Sequence, residues 1–305
     1  MEPIIFAGTP QNAALTLREL VAGGQAVALV LTREDAPVGR KRLMTESPVA
    51  EAATQLGIPV LKTNSISAED EEAIANSGAR LALVVAFGAI LKQSTIDLME
   101  LGWFNLHYSV LPRWRGASPV QSAILAGDHT TGVTLFKIDR GLDTGEIVGV
   151  AETVIEDGEN AGRLLARLSQ LGVSLAQQEL PGLLAGFRRG SPQIGEPTFA
   201  PKFDRADARI TADDSAKLAL AKVHAFNPEP MAWVDLNGQP MRILSAAPIA
   251  AKSQPGAVSL IEKRVLLGLG DGQSVELLEV QPAGKNPMAA MDWFRGSKET
   301  ERTIL

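Results

Sequence analysis

The chain predicts an α/β fold in two domains, on three observations. Short apolar runs alternate with amphipathic stretches through residue 187, a segment rich in proline and glycine follows, and beyond it turn signals come at close intervals. Ile4–Ala7, Val27–Thr32 and Leu81–Ala86 read as buried strands, being short, rich in branched residues and bounded by glycine, threonine or charge. Between them, Gln11–Val21, Pro48–Leu56 and Ala68–Ala75 read as helices. Ser47 before Pro48 has the form of a cap followed by a first-turn proline, and Ser67 with Asp70 three residues on has the spacing of a capping box. Strands alternating with helices imply right-handed crossovers and a mostly parallel sheet of Rossmann-like type. A helix from Asn160 to about Phe187 is expected to close this first domain, 1–187.

Residues 188–207 hold Pro192, Pro197 and Pro201 with little periodicity, which reads as a linker. Asp213–His224 then reads as a helix capped by Asp213 or Asp214. Turns at Asn237-Gly238, Gln254-Pro255-Gly256 and Gly270-Asp271-Gly272 separate short strands, so residues 208–305 are expected to form an OB-like β-barrel.

Composition narrows the function. A chain of 305 residues has room for two cores. No apolar run approaches the roughly 20 residues of a membrane span, so no membrane partner is expected. The opening Met-Glu-Pro-Ile-Ile-Phe carries no basic leader, so no signal peptide is expected, and a cytoplasmic location fits. The absence of cysteine excludes disulfides, a thiolate nucleophile and a Cys-based zinc site. The three histidines, His107, His129 and His224, have no metal-ligand spacing, so no metal is expected. A net charge of −6 argues against coating nucleic acid by bulk charge but leaves room for a local basic patch. No heptad stands out, and a monomer is expected.

The chemistry concentrates between Trp103 and Pro119. Asn105 and His107 stand two residues apart at the end of a predicted strand, hence on one face. Asp143 follows in the tight turn Asp139-Arg-Gly-Leu-Asp-Thr-Gly145. In doubly wound sheets ligands bind beyond the carboxyl ends of the strands, where all three residues lie. An amide can stabilise a developing oxyanion. An imidazole titrating near neutrality can exchange protons, and a carboxylate can hold that imidazole and raise its pKa. Together they suit acyl transfer to an amine, with the first proton acceptor left open. Asn105 and His107 also fit a satisfied polar pair at a strand end. Trp114, between Arg113 and Arg115, fits either a packed loop anchor or a stacking surface. Arg40-Lys41-Arg42 fits either a solvated run or a phosphate contact. Phe6-Ala-Gly-Thr-Pro10 lacks the G-x-G-x-x-G spacing and reads as a tight turn rather than a nicotinamide loop. Asp143-Thr-Gly has no second copy, which excludes aspartic-protease chemistry.

The N-L-H at 105–107, S-V-L-P at 109–112, R-W-R-G at 113–116 and the Asp143-Thr-Gly turn resemble the formyltransferases that use 10-formyltetrahydrofolate. These motifs alone would be shared with relatives that formylate glycinamide ribonucleotide or amino sugars. F-A-G-T-P at 6–10, the basic loop at 40–42, A-P-K-F at 200–203, R-I at 209–210, Phe226-Asn-Pro and L-E-V-Q-P-A-G-K-N-P-M at 278–288 extend the likeness over essentially the whole chain. They are similar to the branch whose acceptor is methionine on initiator tRNA. The resemblance implies 10-formyltetrahydrofolate as formyl donor, methionyl-initiator tRNA as acceptor, and Asn105, His107 and Asp143 as catalytic residues. It implies a folate pocket lined by Ser109, Val110, Leu111 and Pro112, whose main chain would meet the pterin edge. It also implies tRNA contacts from Arg40, Lys41, Arg42 and Lys285. Tyr108 and Val110 depart from the family pattern, and Tyr108, one residue out of phase with His107, is expected to alter packing rather than catalysis. Residues 206–305 hold 11 Lys and Arg against 12 Asp and Glu. A tRNA surface there must therefore be a local stripe, with Lys217, Lys222, Arg242, Lys263, Arg264 and Lys285 as candidates.

Overall fold

The computed structural model describes residues 2–39, 41–296 and 302–304. In chain order the elements begin β1 (Ile4–Gly8), α1 (Gln11–Ala22), β2 (Val27–Thr32), β3 (Ala36–Val38), β4 (Leu43–Thr45), α2 (Pro48–Gln55), β5 (Val60–Lys62), α3 (Ala68–Ala75) and β6 (Leu81–Val85). They continue α4 (Gln93–Ile96), β7 (Gly102–His107), β8 (Arg115–Gly116), α5 (Pro119–Ala126), β9 (Thr130–Lys137), β10 (Ile147–Val154), α6 (Ala161–Leu184), β11 (Phe199–Ala200) and α7 (Ala216–Phe226). The last part comprises β12 (Trp233–Leu236), β13 (Gln239–Lys252), β14 (Val258–Ile261), β15 (Arg264–Gly268), β16 (Gln273–Pro282), β17 (Met288–Ala289) and α8 (Ala290–Gly296). The chain divides into two compact units. One comprises Met1–Gly116, Thr130–Val154 and Leu165–Phe199, the other Ala117–His129, Ile155–Leu164 and Ala200–Leu305.

The first unit is built on a seven-stranded sheet in the order β10-β9-β7-β6-β1-β2-β5. Pairings among β7, β6, β1, β2 and β5 are parallel, while β9 pairs antiparallel with both β7 and β10. The expected mostly parallel sheet is thus observed. Every residue of β1 and β6 is buried, as central strands covered on both faces require, and that accounts for their unbroken apolar sequence. The caps behave as their residue types dictate: Ser47 accepts from the Ala50 N–H, and Ser67 and Asp70 form a reciprocal capping box. Gly8 ends β1 where an added Cβ would meet Ala13 Cβ at 2.8 Å and the Val85 carbonyl oxygen at 2.9 Å. Pro10 then takes the N-cap of α1 without a side-chain hydrogen bond, in a turn that packs closely.

In the second unit β12, β13, β16, β15 and β14 form an antiparallel sheet, with β17 joined to β16. The C-terminal residues close it: Leu236 bridges Ile304 and Ala257 bridges Thr303, so one segment joins both edges of the sheet. Closure removes the exposed edges that an open sheet leaves unpaired. One local expectation fails. The cap of α7 is Ser215, whose Oγ accepts from the Leu218 N–H, and not Asp213 or Asp214. Asp214 instead accepts from the Thr211 N–H and from Lys222 Nζ at 2.7 Å.

Candidate active site

Asn105 and His107 occupy the carboxyl end of β7, between parallel β6 and antiparallel β9. Alternation along the strand sets both on one face and sends Tyr108 elsewhere. Tyr108 is buried, its hydroxyl accepts from Asn12 Nδ2 at 3.0 Å, and burial pushes its pKa up, so it is a neutral packing residue. The Asn105 amide is half-buried and has no hydrogen-bond partner among the described residues.

His107 is held at both ring nitrogens. Nε2 lies 2.8 Å from the Trp114 carbonyl oxygen, and Nδ1 lies 3.6 Å from Asp143 Oδ2. A carbonyl can only accept, so Nε2 carries the hydrogen and Nδ1 is the basic nitrogen. The imidazole is 5% exposed, and burial lowers its pKa by more than the Asp143 carboxylate and the Trp114 carbonyl raise it. Asp143 does raise the value, as expected, but burial outweighs it: the net shift is downward, and His107 rests neutral with the Asp143 carboxylate beside its free lone pair.

Two loops make this arrangement. The loop after β7 turns through Trp114, whose φ of 64° is a left-handed conformation costing a non-glycine residue about 1–3 kcal/mol. The Trp114 N–H donates to Thr198 Oγ1 at 2.9 Å and the Arg115 N–H to the Thr198 carbonyl at 2.8 Å, fixing the carbonyl that meets His107. The Arg113 guanidinium lies 4.5 Å from the centre of the Trp114 ring. In the second loop, between β9 and β10, Asp139 Oδ1 accepts from the Gly141 N–H and from the Thr144 hydroxyl. That closes the turn carrying Asp143, itself left-handed at φ 52°. The Gly116 N–H donates to Asp143 Oδ2 at 2.7 Å, locking the carboxylate to the first loop. Gly145 must be glycine, because an added Cβ would run into the Lys137 carbonyl.

Of the residues expected to line a folate pocket, Ser109 and Leu111 are buried, while Val110 and Pro112 keep accessible surface. Thr134 Oγ1 donates to the Ser109 carbonyl at 2.7 Å and accepts from the Leu111 N–H at 3.1 Å. Thr134 thus engages both of these main-chain groups and holds the loop in shape. Lys41 and Arg42 sit at the tip of the β3–β4 hairpin, beside exposed Val38, Leu43 and Met44. Neither side chain is paired among the described residues. Arg40 lies outside the described residues. Lys285 is exposed in the turn after β16. Lys222 is tied down by Asp214 and the Arg209 carbonyl, which removes it from the candidate stripe. No group of three or more His, Cys, Asp or Glu able to hold a metal ion occurs among the described residues. None of the described helices is long and apolar enough to cross a membrane. Asp139, Thr134, Gln193 and Thr198 are site residues that the sequence reading missed. Only Asp139 left a local sign, as a turn-forming aspartate two residues before a glycine.

An amide, a neutral imidazole and a carboxylate thus meet at the end of β7, and these are groups that a group transfer could use. The sequence models for formyl transferase and for the formyl transferase C-terminal domain match residues 2–180 and 202–298, and the chain belongs to the formyl transferase family. Within that family it is 43% identical over 295 residues to the methionyl-tRNA formyltransferase of Clavibacter sepedonicus, covering 96% of each chain. The methionyl-tRNA formyltransferase from Clostridium thermocellum has the same fold, with a TM-score of 0.58 at 15% identity over 83% of this chain and 96% of that one. So does the N-formyltransferase from Helicobacter canadensis in complex with folinic acid and dTDP-3-aminofucose, with a TM-score of 0.64 at 19% identity over 92% of this chain and 99% of that one.

Proposed function

We propose that the chain transfers the formyl group of 10-formyltetrahydrofolate to the α-amino group of methionine on initiator tRNA. The observation that carries this reading is near-full-length similarity to a methionyl-tRNA formyltransferase, joined to a site with the parts that formyl transfer needs. The N-formyltransferase from Helicobacter canadensis is in complex with folinic acid and dTDP-3-aminofucose, whereas the likeness along nearly the whole chain to methionyl-tRNA formyltransferases favours an aminoacyl-tRNA acceptor here.

In this reading the half-buried, unpartnered Asn105 amide donates to the formyl oxygen as negative charge builds there. His107 accepts the amine proton on Nδ1 as the new C–N bond forms. The Asp143 carboxylate stabilises the resulting imidazolium, and the same proton returns to the departing folate nitrogen as the old C–N bond breaks. The first acceptor, left open by the sequence, is His107 because Nε2 is already committed to the Trp114 carbonyl. Val110 and Pro112 supply apolar surface to the folate, with Ser109 and Leu111 holding that loop in shape through Thr134. Catalysis belongs to 1–187 and tRNA binding to 208–305, with Arg40, Lys41, Arg42 and Lys285 as basic contacts to the tRNA. The linker 188–207 supports that catalytic part through Gln193 and Thr198. We take the protein to act as a monomer in the cytoplasm, in keeping with a chain that has no cysteine.

The test supplies 10-formyltetrahydrofolate with Met-charged initiator tRNA, Met-charged elongator tRNA or a panel of amino sugars. Transfer to the initiator, weak on the elongator and absent on sugars, is expected. Transfer to a sugar amine without tRNA would replace the acceptor and keep the donor.

A further inference from the structure

We infer that Gln193 is a positioning residue for formyl transfer, its side-chain amide setting the Asp143 turn against the 113–116 loop so that both nitrogens of His107 are met. The inference rests on the function proposed above. Gln193 Nε2 donates to the carbonyl oxygens of Asp143 at 2.8 Å and Gly145 at 2.9 Å. Its Oε1 accepts from Arg115 Nε at 3.1 Å and Nη2 at 2.7 Å. One side chain thus joins the loop that aims the Trp114 carbonyl at Nε2 to the turn that holds Asp143 beside Nδ1.

The chemistry of that junction selects an amide. Two backbone carbonyls need donors and a guanidinium needs acceptors, and neither a carboxylate nor an ammonium provides both. The segment bearing Gln193 is fixed on either side. Ser191 and Ile147 exchange two backbone hydrogen bonds of 2.8 Å, and Thr198 holds Trp114 and Arg115. Gln193 is therefore anchored rather than a loose side chain that settled on the loop. Both residues flanking His107, Trp114 and Asp143, have left-handed backbones, which persist only where surrounding contacts over-determine them. Loosening Gln193 frees the turn at Asp143 and shifts the carboxylate relative to Nδ1. Misplacement by about 1 Å at a reacting centre costs on the order of 100-fold in rate.

The experiment compares wild type, Gln193→Glu and Gln193→Leu in formyl transfer from 10-formyltetrahydrofolate to Met-charged initiator tRNA across pH, with melting temperatures alongside. Glutamate is nearly isosteric and keeps the acceptors for Arg115 but loses the donors to Asp143 and Gly145. Both variants are expected to lose about 10- to 100-fold in kcat, keep KM for each substrate within about threefold, and move the acid limb of the kcat profile. Should the leucine variant melt below the assay temperature, the glutamate variant carries the test. A glutamate variant with wild-type kcat and pH profile would overturn the inference, reducing Gln193 to a partner for Arg115. Variants that lose melting temperature alone would also overturn it. An active wild type with unaffected variants counts against this inference only, whereas an inert wild type overturns the proposed function and the inference with it.

Discussion

The end of β7 and the tip of the β3–β4 hairpin both carry nitrogen-rich side chains, and the protein treats them in opposite ways. His107 is buried and met at both ring nitrogens, Asp143 is tied to Gly116, and the loops around them are closed by Thr134, Asp139 and Thr198. Lys41 and Arg42 are exposed among apolar neighbours with no pairing partner among the described residues. A reacting centre gains from dipoles that do not reorganise as charge moves. A surface that meets a polyanion gains from mobile charge that displaces counterions wherever a phosphate lies. The difference predicts that lesions in the first region act on kcat and lesions in the second on KM for tRNA.

The largest effects should come from the strand end. His107→Ala removes the proton acceptor and is expected to lower kcat by about 10²–10⁴-fold. Asn105→Ala removes an oxyanion donor and is expected to cost about 10²–10³-fold. Steady-state kinetics with saturating folate should find KM for tRNA within about twofold of wild type in both. A rise in KM for tRNA that accounts for most of the loss would erase the contrast between the two regions.

How much of this could be read beforehand follows the range of each interaction. β1, β2, β6 and the helices among them announce themselves because burial and capping act within a few residues. The proposed catalytic set is visible because acyl transfer needs certain groups at strand ends, and N-x-H supplies two of them at the right period. Gln193 and Thr198 escape notice because their partners lie 50 and 84 residues away and their own surroundings are proline, glycine and charge. The direction of the His107 pKa escapes for a related reason. A sequence places Asp143 nearby but does not weigh its charge against the water that folding removes. The cap of α7 went to Ser215 over two aspartates because Asp214 had a competing partner in Lys222.

The depressed pKa of His107 sharpens the contrast at intermediate size. The folded state binds the imidazole proton less readily than the unfolded chain does, so stability is full above the ordinary value of 6.5 and declines as pH falls through it toward the folded value. In the proposed role His107 acts as the neutral base, so the acid limb of kcat/KM, which reports the free enzyme, should fall below 6.5. Thermal melting of wild type beside His107→Asn between about pH 8 and 5 isolates the group, and wild type should lose more on acidification. Parallel melting curves would mean that the imidazole is better hydrated than its 5% exposure implies.

The smallest effect belongs to the hairpin tip, and it has its own signature. Arg42→Ala leaves every contact around His107 untouched, so kcat at saturating tRNA should stay near wild type. KM for tRNA is expected to rise about three- to tenfold at low salt, as loss of one phosphate contact would give. The stronger evidence is in the salt dependence. Each phosphate contact contributes close to one to the slope of log affinity against log salt, so the variant's slope should be shallower by about 1. Wild type and variant should then converge at high salt, where counterion release no longer favours binding. An unchanged slope with a raised KM would mean that Arg42 acts by shape, through its left-handed backbone at φ 49° and its N–H bond to the Gly39 carbonyl. In that case Arg42→Gly, which relieves the backbone and still removes the charge, would bind tRNA as wild type does; by charge alone it would bind as weakly as the alanine variant.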